Sequence, residues 1–262
     1  MENKSGNGRY RIVLLGSGNV ATSLAPALDY VCDVVQIYSR NKSHAQTLAD
    51  KLRNARAIDN VEDVDCSADI AIISVPDDAV HCTSECLKDF QGIVAHTSGS
   101  VPMDALAACA RRGVFYPLQT FSRQRPLSLT SVPFFVEGST QEATDILKNL
   151  ASMVSNRVYE ADSVHRGALH VAAVFASNFV NHLWDISDEL LKPYGYDFSV
   201  FGPLVTEVLK KALSLGPHAS QTGPAVRHDM KVISTHINHL PKNKANIYRV
   251  LTDNIIKNYN NE

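Results

Sequence analysis

The chain has 262 residues, 45% of them hydrophobic and 20% charged, enough for one large or two smaller globular domains with an ample core. Its 25 Lys and Arg against 27 Asp and Glu leave a net charge of −2, so no basic field draws nucleic acid and no such partner is expected. The 5 cysteines, an odd number, argue against a disulfide scaffold and for a reducing, cytoplasmic setting. A polar start over residues 1–11 lacks the apolar centre of a signal peptide.

Taken in order, Arg11–Leu15 reads as a buried strand, because branched apolar residues run without interruption. It ends in Gly16-Ser17-Gly18-Asn19-Val20-Ala21, and a helical pattern follows through Ala25 and Leu28, with Pro26 expected to kink it. A strand, a glycine turn and a helix in that order offer backbone N–H groups and a helix N-terminus to a dinucleotide pyrophosphate. Gly16 allows the tight turn, Gly18 lets phosphate approach the backbone, and Ala21 lets helix and strand pack closely.

Further strands are expected at Val34–Ser39, Ile70–Val75, Ile93–Thr97 and Val114–Tyr116, with helices at Ser43–Asn54 and Met103–Arg111 among the stretches between them. A looser segment from Pro117 to Ser131 precedes a strand at Pro133–Glu137, a helix at Gln141–Val154 and a short strand at Arg157–Tyr159. This alternation predicts an α/β domain with a Rossmann-type, doubly wound, mostly parallel sheet over residues 1–161.

From residue 162 to 262 the pattern is all helical: Ser163–Lys192, Phe198–Leu215, Pro224–His239 and Lys244–Tyr259, separated by Pro and Gly breakers. Gly167–Trp184 holds no Asp, Glu, Lys or Arg and is long enough to span a bilayer. His170, Asn178, Asn181 and His182 would be costly in lipid, so a central helix buried in protein, and no membrane, is expected.

The cofactor reading turns on the end of the second strand. An acidic residue belongs there when a ribose 2′-hydroxyl of NAD is held. Here Ser39 and Arg40 stand instead, a hydroxyl and a guanidinium suited to a 2′-phosphate, so NADP is the expected cofactor. Val75, Pro76 and Ser98 follow later strands at the same edge; Ser98 either meets the ligand or closes its own Ser-Gly-Ser turn. Gln119 and Thr120 either orient a polar substrate or cap their own loop. Cys82 and Cys86 share a helix face, but without a second His or Cys pair no metal site is expected.

In the helical part, positions 170, 174, 178 and 182 advance by four and form one broad face. On it, His170 is either a general acid or a core imidazole satisfied by a carbonyl, and Asn178 either meets substrate and nicotinamide or bonds another helix. Thr222 is expected to cap the helix that Pro224 opens. Arg227 there either clamps a substrate carboxylate or pairs with Asp229.

Gly16-Ser17-Gly18-Asn19-Val20-Ala21, Ser39-Arg40, Ser74-Val75-Pro76-Asp77, His96-Thr97-Ser98-Gly99-Ser100, Pro117-Leu118-Gln119-Thr120-Phe121, Asn178-Phe179 and Thr222-Gly223-Pro224-Ala225-Val226-Arg227 occur in that order. In this the chain resembles two-domain proteins that join a Rossmann-like domain to a helical domain of unknown function, described as candidate NADP oxidoreductases. It is similar, more distantly, to pyrroline-5-carboxylate reductases, deazaflavin-dependent NADP reductases and β-hydroxyacid dehydrogenases. The resemblance implies a 6-phosphogluconate-dehydrogenase-like helical domain, a small-molecule substrate and a homodimer formed through the helices. It also exposes a departure: where β-hydroxyacid dehydrogenases carry a catalytic Lys one turn before an Asn, this chain has Val174 before Asn178. Two functions follow as expectations: hydride transfer between NADPH and a C=O or C=N carbon, or a catalytically inactive dinucleotide sensor or scaffold. A methyltransferase is disfavoured, because Ser39-Arg40 lacks the acid that would hold a ribose.

Overall fold

The computed structural model describes residues 8–259. It falls into two compact units that divide after Ser177, inside the long helical run rather than ahead of it.

The first unit is built on an eight-stranded sheet in the order β3-β2-β1-β4-β5-β6-β7-β8. Its strands are β1 (Arg11–Leu15), β2 (Asp33–Tyr38), β3 (Arg56–Ile58), β4 (Ile70–Ile73), β5 (Ile93–His96), β6 (Arg112–Pro117), β7 (Phe134–Gly138) and β8 (Val158–Glu160). The sheet is parallel from β3 to β6; β7 runs antiparallel to β6, and β8 parallel to β7. The helices of this unit are α1 (Asn19–Val31), α2 (Lys42–Ala49), α3 (Asp77–Glu85), α4 (Gln141–Ser152) and α5 (Ser163–Ala173).

The central strands are apolar on both faces because both are covered. Ile12, Leu14, Ile70 and Ile72 face one buried cluster with Leu24 and Leu28 of α1, and Val13, Leu15, Ala71 and Ile73 face another with Val80 of α3. Parallel strands end at one edge of the sheet, and that edge carries Gly16, Ser74, Thr97 and Pro117 just past or at the ends of β1, β4, β5 and β6. In such a topology ligands bind at this edge, where strand order reverses between β1 and β4.

Several local expectations are corrected. The helix expected over Met103–Arg111 is a single 3₁₀ turn, Met103–Leu106, followed by further turns closed by i→i+3 bonds. Only Leu106 and Cys109 of that stretch are buried, with Ala105 packed partly against them, too few apolar residues to bury a helical face. β3 has only Ile58 buried and forms by pairing beside β2. Pro26, expected to kink α1, lies inside it at an exposed position.

The helical run from Ser163 is α5, then a π turn at Val174–Phe179, then α6 (Val180–Leu191). The second unit adds α7 (Gly202–Leu215), α8 (Met230–His239) and α9 (Lys242–Tyr259). The helix expected from Pro224 begins only at Met230. Gly223 and His228 take positive φ values of 119° and 54°, which break the first turn, and the Asp229 side chain, not Thr222, caps α8 by accepting from the Val232 N–H at 3.1 Å. The expectation of a central helix buried in protein also fails within one chain. No residue of the π turn, α6 or α7 is buried, and Phe175 and Phe179 are 65% and 48% exposed. No helix among the described residues is long and apolar enough to cross a membrane.

Candidate functional site

The glycine turn is shaped by steric need. Gly16 has φ +129°, and a Cβ there would lie 2.1 Å from the Ser74 carbonyl oxygen, so only glycine lets the turn press against the end of β4. Its N–H donates to the Tyr38 carbonyl at 2.8 Å, tying the turn to the end of β2. Gly18, the residue before α1, faces open space: a Cβ built there meets nothing within 4 Å. It offers no side chain to cap the helix, so the first-turn N–H groups of α1 have no side-chain acceptor.

A cavity of about 510 Å³ opens beside this turn, lined by Gly16, Ser17, Gly18, Ser39, Arg40 and His44 on one side and Val75, Pro76, Ala79 and Cys82 on the other. Of the residues expected at a cofactor, Gly16, Ser17, Gly18, Ser39, Arg40, Val75 and Pro76 are therefore brought together. Asn19 and Val20 form the first turn of α1 beyond the glycines. The Ser17 hydroxyl donates to that of Ser39 at 3.1 Å, coupling turn and strand end. The donor chemistry of this wall fits a phosphorylated dinucleotide, with open backbone at Gly18 and a guanidinium beside it. Ser98 does not line the cavity. Its Oγ accepts from the N–H groups of Ser100 and Val101 at 3.2 and 3.1 Å and closes its own turn.

The same edge of the sheet carries a second group of polar side chains. Tyr116, next to last in β6, places its hydroxyl 3.1 Å from His170 Nδ1 on α5. Both pack on Gly99, where a Cβ would lie 2.6 Å from Nδ1 and 2.8 Å from the hydroxyl oxygen, so this position has room for glycine alone. Burial pushes the Tyr116 hydroxyl above the ordinary tyrosine range; the Arg166 charge opposes that and Asp77 adds to it. The phenol therefore stays protonated near neutral pH and can donate to Nδ1, which leaves the proton of a neutral imidazole on Nε2. Ser100 donates to Asp77, linking this loop to the start of α3 just after Pro76.

α5 is held by a buried charge. The Arg166 side chain, 1% exposed, pairs with Glu137 of β7 and donates to the Val101 carbonyl at 2.6 Å and the Ser163 hydroxyl at 3.3 Å. Ser163 in turn donates to Glu137 at 2.9 Å and accepts from the Met103 N–H at 3.0 Å. His170 stands one helical turn beyond Arg166 and takes its place from this anchor. His96, wholly buried at the end of β5, is pushed down to about 4 by burial and then by the Arg166 charge, against the Pro102 carbonyl and Asp77. It is neutral near pH 7, and its Nδ1 accepts the Ser98 N–H at 3.2 Å.

None of the remaining expected residues is part of the cavity lining. Gln119 and Thr120 are exposed just after β6, where the Thr120 N–H donates to the Gln119 carboxamide oxygen at 2.8 Å. Asn178 and Arg227 are exposed residues of the second unit, and Asp229, spent on capping α8, is not committed to Arg227. Sequence reasoning missed Tyr116, Gly99, His44 and Arg123. The first two meet His170 only through tertiary packing, and Arg123 arrives from an irregular loop whose Nη2 donates to the Ser17 carbonyl at 2.7 Å. Among the described residues no group of three or more His, Cys, Asp or Glu side chains is placed to hold a metal ion.

With this geometry in place, comparison with known proteins gives a consistent result. The family described as a Rossmann-like domain matches residues 2–121, and the domain of unknown function DUF2520 matches residues 132–255. No curated protein sequence matches the chain. A Bacteroides fragilis protein named as a candidate NADP oxidoreductase is 39% identical, with a TM-score of 0.88, over 95% of this chain and 98% of its own. Two more distant structures share the fold. A reductive aminase from Aspergillus terreus, solved with NADPH and ethyl-5-oxohexanoate, is 12% identical with a TM-score of 0.70, over 95% of this chain and 94% of its own. A pyrroline-5-carboxylate reductase from Coxiella burnetii is 12% identical with a TM-score of 0.60, over 96% of this chain and 98% of its own. The chain therefore belongs to the family of proteins in which a Rossmann-like domain is followed by the DUF2520 domain.

Proposed function

We propose that this protein is an NADP-dependent oxidoreductase that moves a hydride between the nicotinamide and a C=O or C=N carbon of a small polar substrate. One observation carries the reading: the Gly16–Gly18 turn opens, through a position where nothing lies within 4 Å, onto a cavity whose wall holds Ser39 and Arg40 and no carboxylate. NADP, when bound, supplies the hydride chemistry itself.

The chain's own residues bind, orient and manage the proton. Backbone N–H groups at the start of α1 hold the pyrophosphate, and Arg40 pairs with the 2′-phosphate. Val75 and Pro76 pack against the ribose side, and Ser98 keeps its loop in shape. His170 is the proton donor to a reduced carbonyl or imine. Protonated on both nitrogens, it gives up the Nε2 proton and keeps that on Nδ1, which the Tyr116 oxygen accepts. Gln119 and Thr120 are the polar groups the first unit offers to the substrate; in the second unit Asn178 and Arg227 have substrate-binding chemistry, Arg227 for a carboxylate. The unpaired state of all five cysteines fits a reducing cytoplasm.

A second copy of the chain is the partner. The second unit buries few apolar side chains, among them Ala225, Ile233 and Ala245, while Leu204, Val208, Leu209 and Leu213 of α7 are each more than half exposed. So small a core does not sustain a helical unit alone, and an equal apolar face on a second copy would complete it. Sedimentation velocity at micromolar concentration reads this directly, and a monomer would refute it.

The sensor reading is favoured only by Val174, an apolar side chain where related dehydrogenases place a lysine. Calorimetry separates the two. NADPH is expected to bind at least about tenfold more tightly than NADH, a preference that Arg40→Ala abolishes. Turnover with a panel of imines and keto acids then identifies an enzyme, and binding without turnover a sensor. Binding of neither coenzyme at millimolar concentration overturns both.

A further inference from the structure

Beside the dinucleotide cavity lies a smaller hollow of about 220 Å³ that shares Ser17, His44 and Arg123 with it. Thr22, Thr47 and Lys51 supply the rest of its polar wall. At this size it falls below cavities that enclose whole ligands and suits a single substituent. Its ionisable groups are a guanidinium, an ammonium and an imidazole, with no carboxylate to compensate them.

Arg123 is the informative member. It belongs to the irregular segment after β6, yet its Nη2 donates to the Ser17 carbonyl 106 positions earlier in the chain. That bond uses one of five guanidinium N–H groups and pins the fork at the mouth of both cavities. The Thr22 and Thr47 hydroxyls donate back to the carbonyls of Gly18 and Ser43 at 2.9 and 2.8 Å, so the side-chain donors left for an incoming anion are those of Arg123, Lys51 and the His44 imidazole. Three basic groups around a space for one substituent is the chemistry of a dianionic phosphate monoester.

We infer that the 2′-phosphate sits where this hollow meets the larger cavity, at the Ser17, His44 and Arg123 that both share, and that Arg123, reaching over from the loop after β6, is a specificity-determining residue alongside Arg40 of the larger cavity. The inference rests on the dinucleotide reading above and deepens it. Discrimination between the phosphorylated and unphosphorylated coenzyme is then divided between the end of β2, α2 and a distant loop.

The test is equilibrium binding, followed by calorimetry, of NADPH, NADH, adenosine 2′,5′-bisphosphate and adenosine 3′,5′-bisphosphate to the full chain and to its Arg123→Ala, Arg123→Lys and Lys51→Ala variants. Removing one charge-assisted contact to phosphate should weaken NADPH and the 2′,5′-bisphosphate by roughly 10- to 100-fold in Arg123→Ala, and leave NADH within about twofold. Arg123→Lys should retain part of the preference, because the charge stays while the fork is lost. Lys51→Ala, on a different element, should weaken the same two ligands by a smaller factor. Equal loss for NADPH and NADH would place Arg123 on the shared pyrophosphate and overturn the inference, as would unchanged affinities. If the unaltered protein binds neither coenzyme, the functional reading fails. The hollow then survives only if the 2′,5′-bisphosphate still binds in preference to its 3′,5′ isomer and in an Arg123-dependent way. Circular dichroism of each variant distinguishes lost binding from lost folding.

Discussion

Replacing Arg166 by methionine tests how α5, and with it His170, is seated. The substitution keeps an apolar stem of similar reach in a site that is 1% exposed, and it deletes the guanidinium that pairs with Glu137. Glu137, only 15% exposed, is then left with the Ser163 hydroxyl at 2.9 Å and no positive partner. Stranding one member of a buried ion pair costs about 3–5 kcal/mol, and the Val101 carbonyl loses its donor at 2.6 Å in the same step. Against a total stability of about 5–15 kcal/mol this is a large fraction. Urea unfolding followed by far-ultraviolet circular dichroism should show it as a lowered midpoint. Hydrogen exchange should place the loss first in Ser163–Ala173 and in the residues around Met103, which the Ser163 hydroxyl ties down at 3.0 Å. The decisive comparison is Arg166→Met with Glu137→Leu. Removing both charges takes away the stranded carboxylate, so the double variant should recover most of the loss. A single variant within 1 kcal/mol of the parent, or a double variant no better than the single, would refute the argument that one compensated charge pair anchors this helix.

Three other expectations follow from the same edge of the sheet. His96 is held down to about 4 by burial, while the unfolded imidazole titrates near 6.5, so between these values the unfolded chain binds more protons and stability rises with pH. The contribution is complete above the unfolded value and is lost as pH falls from there through 4. Relative to His96→Leu, the parent should lose about 2 kcal/mol between pH 7 and pH 5 in urea unfolding, and identical losses would refute it. Gly99→Ala puts a methyl 2.6 Å from His170 Nδ1 and should displace the ring, cutting turnover sharply while costing about 1–3 kcal/mol of stability and sparing NADPH affinity. Tyr116→Phe should lower kcat without that steric cost. Unchanged kcat in both would remove the Tyr116–His170 pair from the mechanism.

The parts of the fold that were legible in the sequence are those in which one physical demand acts on consecutive residues. β1 is apolar from Ile12 to Leu15 because both faces are covered there, and its end is marked because Gly16 must sit against the Ser74 carbonyl at positive φ. β4 and β5 read from the same uninterrupted runs, and Ser39-Arg40 was found by its fixed distance from the glycines. What was illegible is set by contacts between residues far apart. β3 is a strand because Ala57 and Ile58 meet Ile37 and Tyr38, not because Arg-Ala-Ile prefers to be one. The Ala-rich stretch after Met103 has helical propensity and too few apolar side chains to pack, and packing decided.

The candidate site divides in the same way. Its cofactor wall is local to two turns and was read residue by residue. The Tyr116–His170 pair joins the end of a strand to a helix 54 positions later, and no spacing announces Tyr116 as the partner of His170. Ser98-Gly99-Ser100 has turn composition and does form a turn, yet the reason for glycine at its centre is the phenol and imidazole packed on it. One signal was present and under-read. A face that advances by four from His170 through Val174 to Asn178 drifts around an α-helix, and it stays aligned better where the helix widens. The π turn at Val174–Phe179 lies at that point of the run. Single π turns are costly and concentrate where a helix must present side chains in a register the α-helix does not offer. The backbone thus leaves α-helical register between His170 and Asn178, a departure that apolar periodicity alone does not announce.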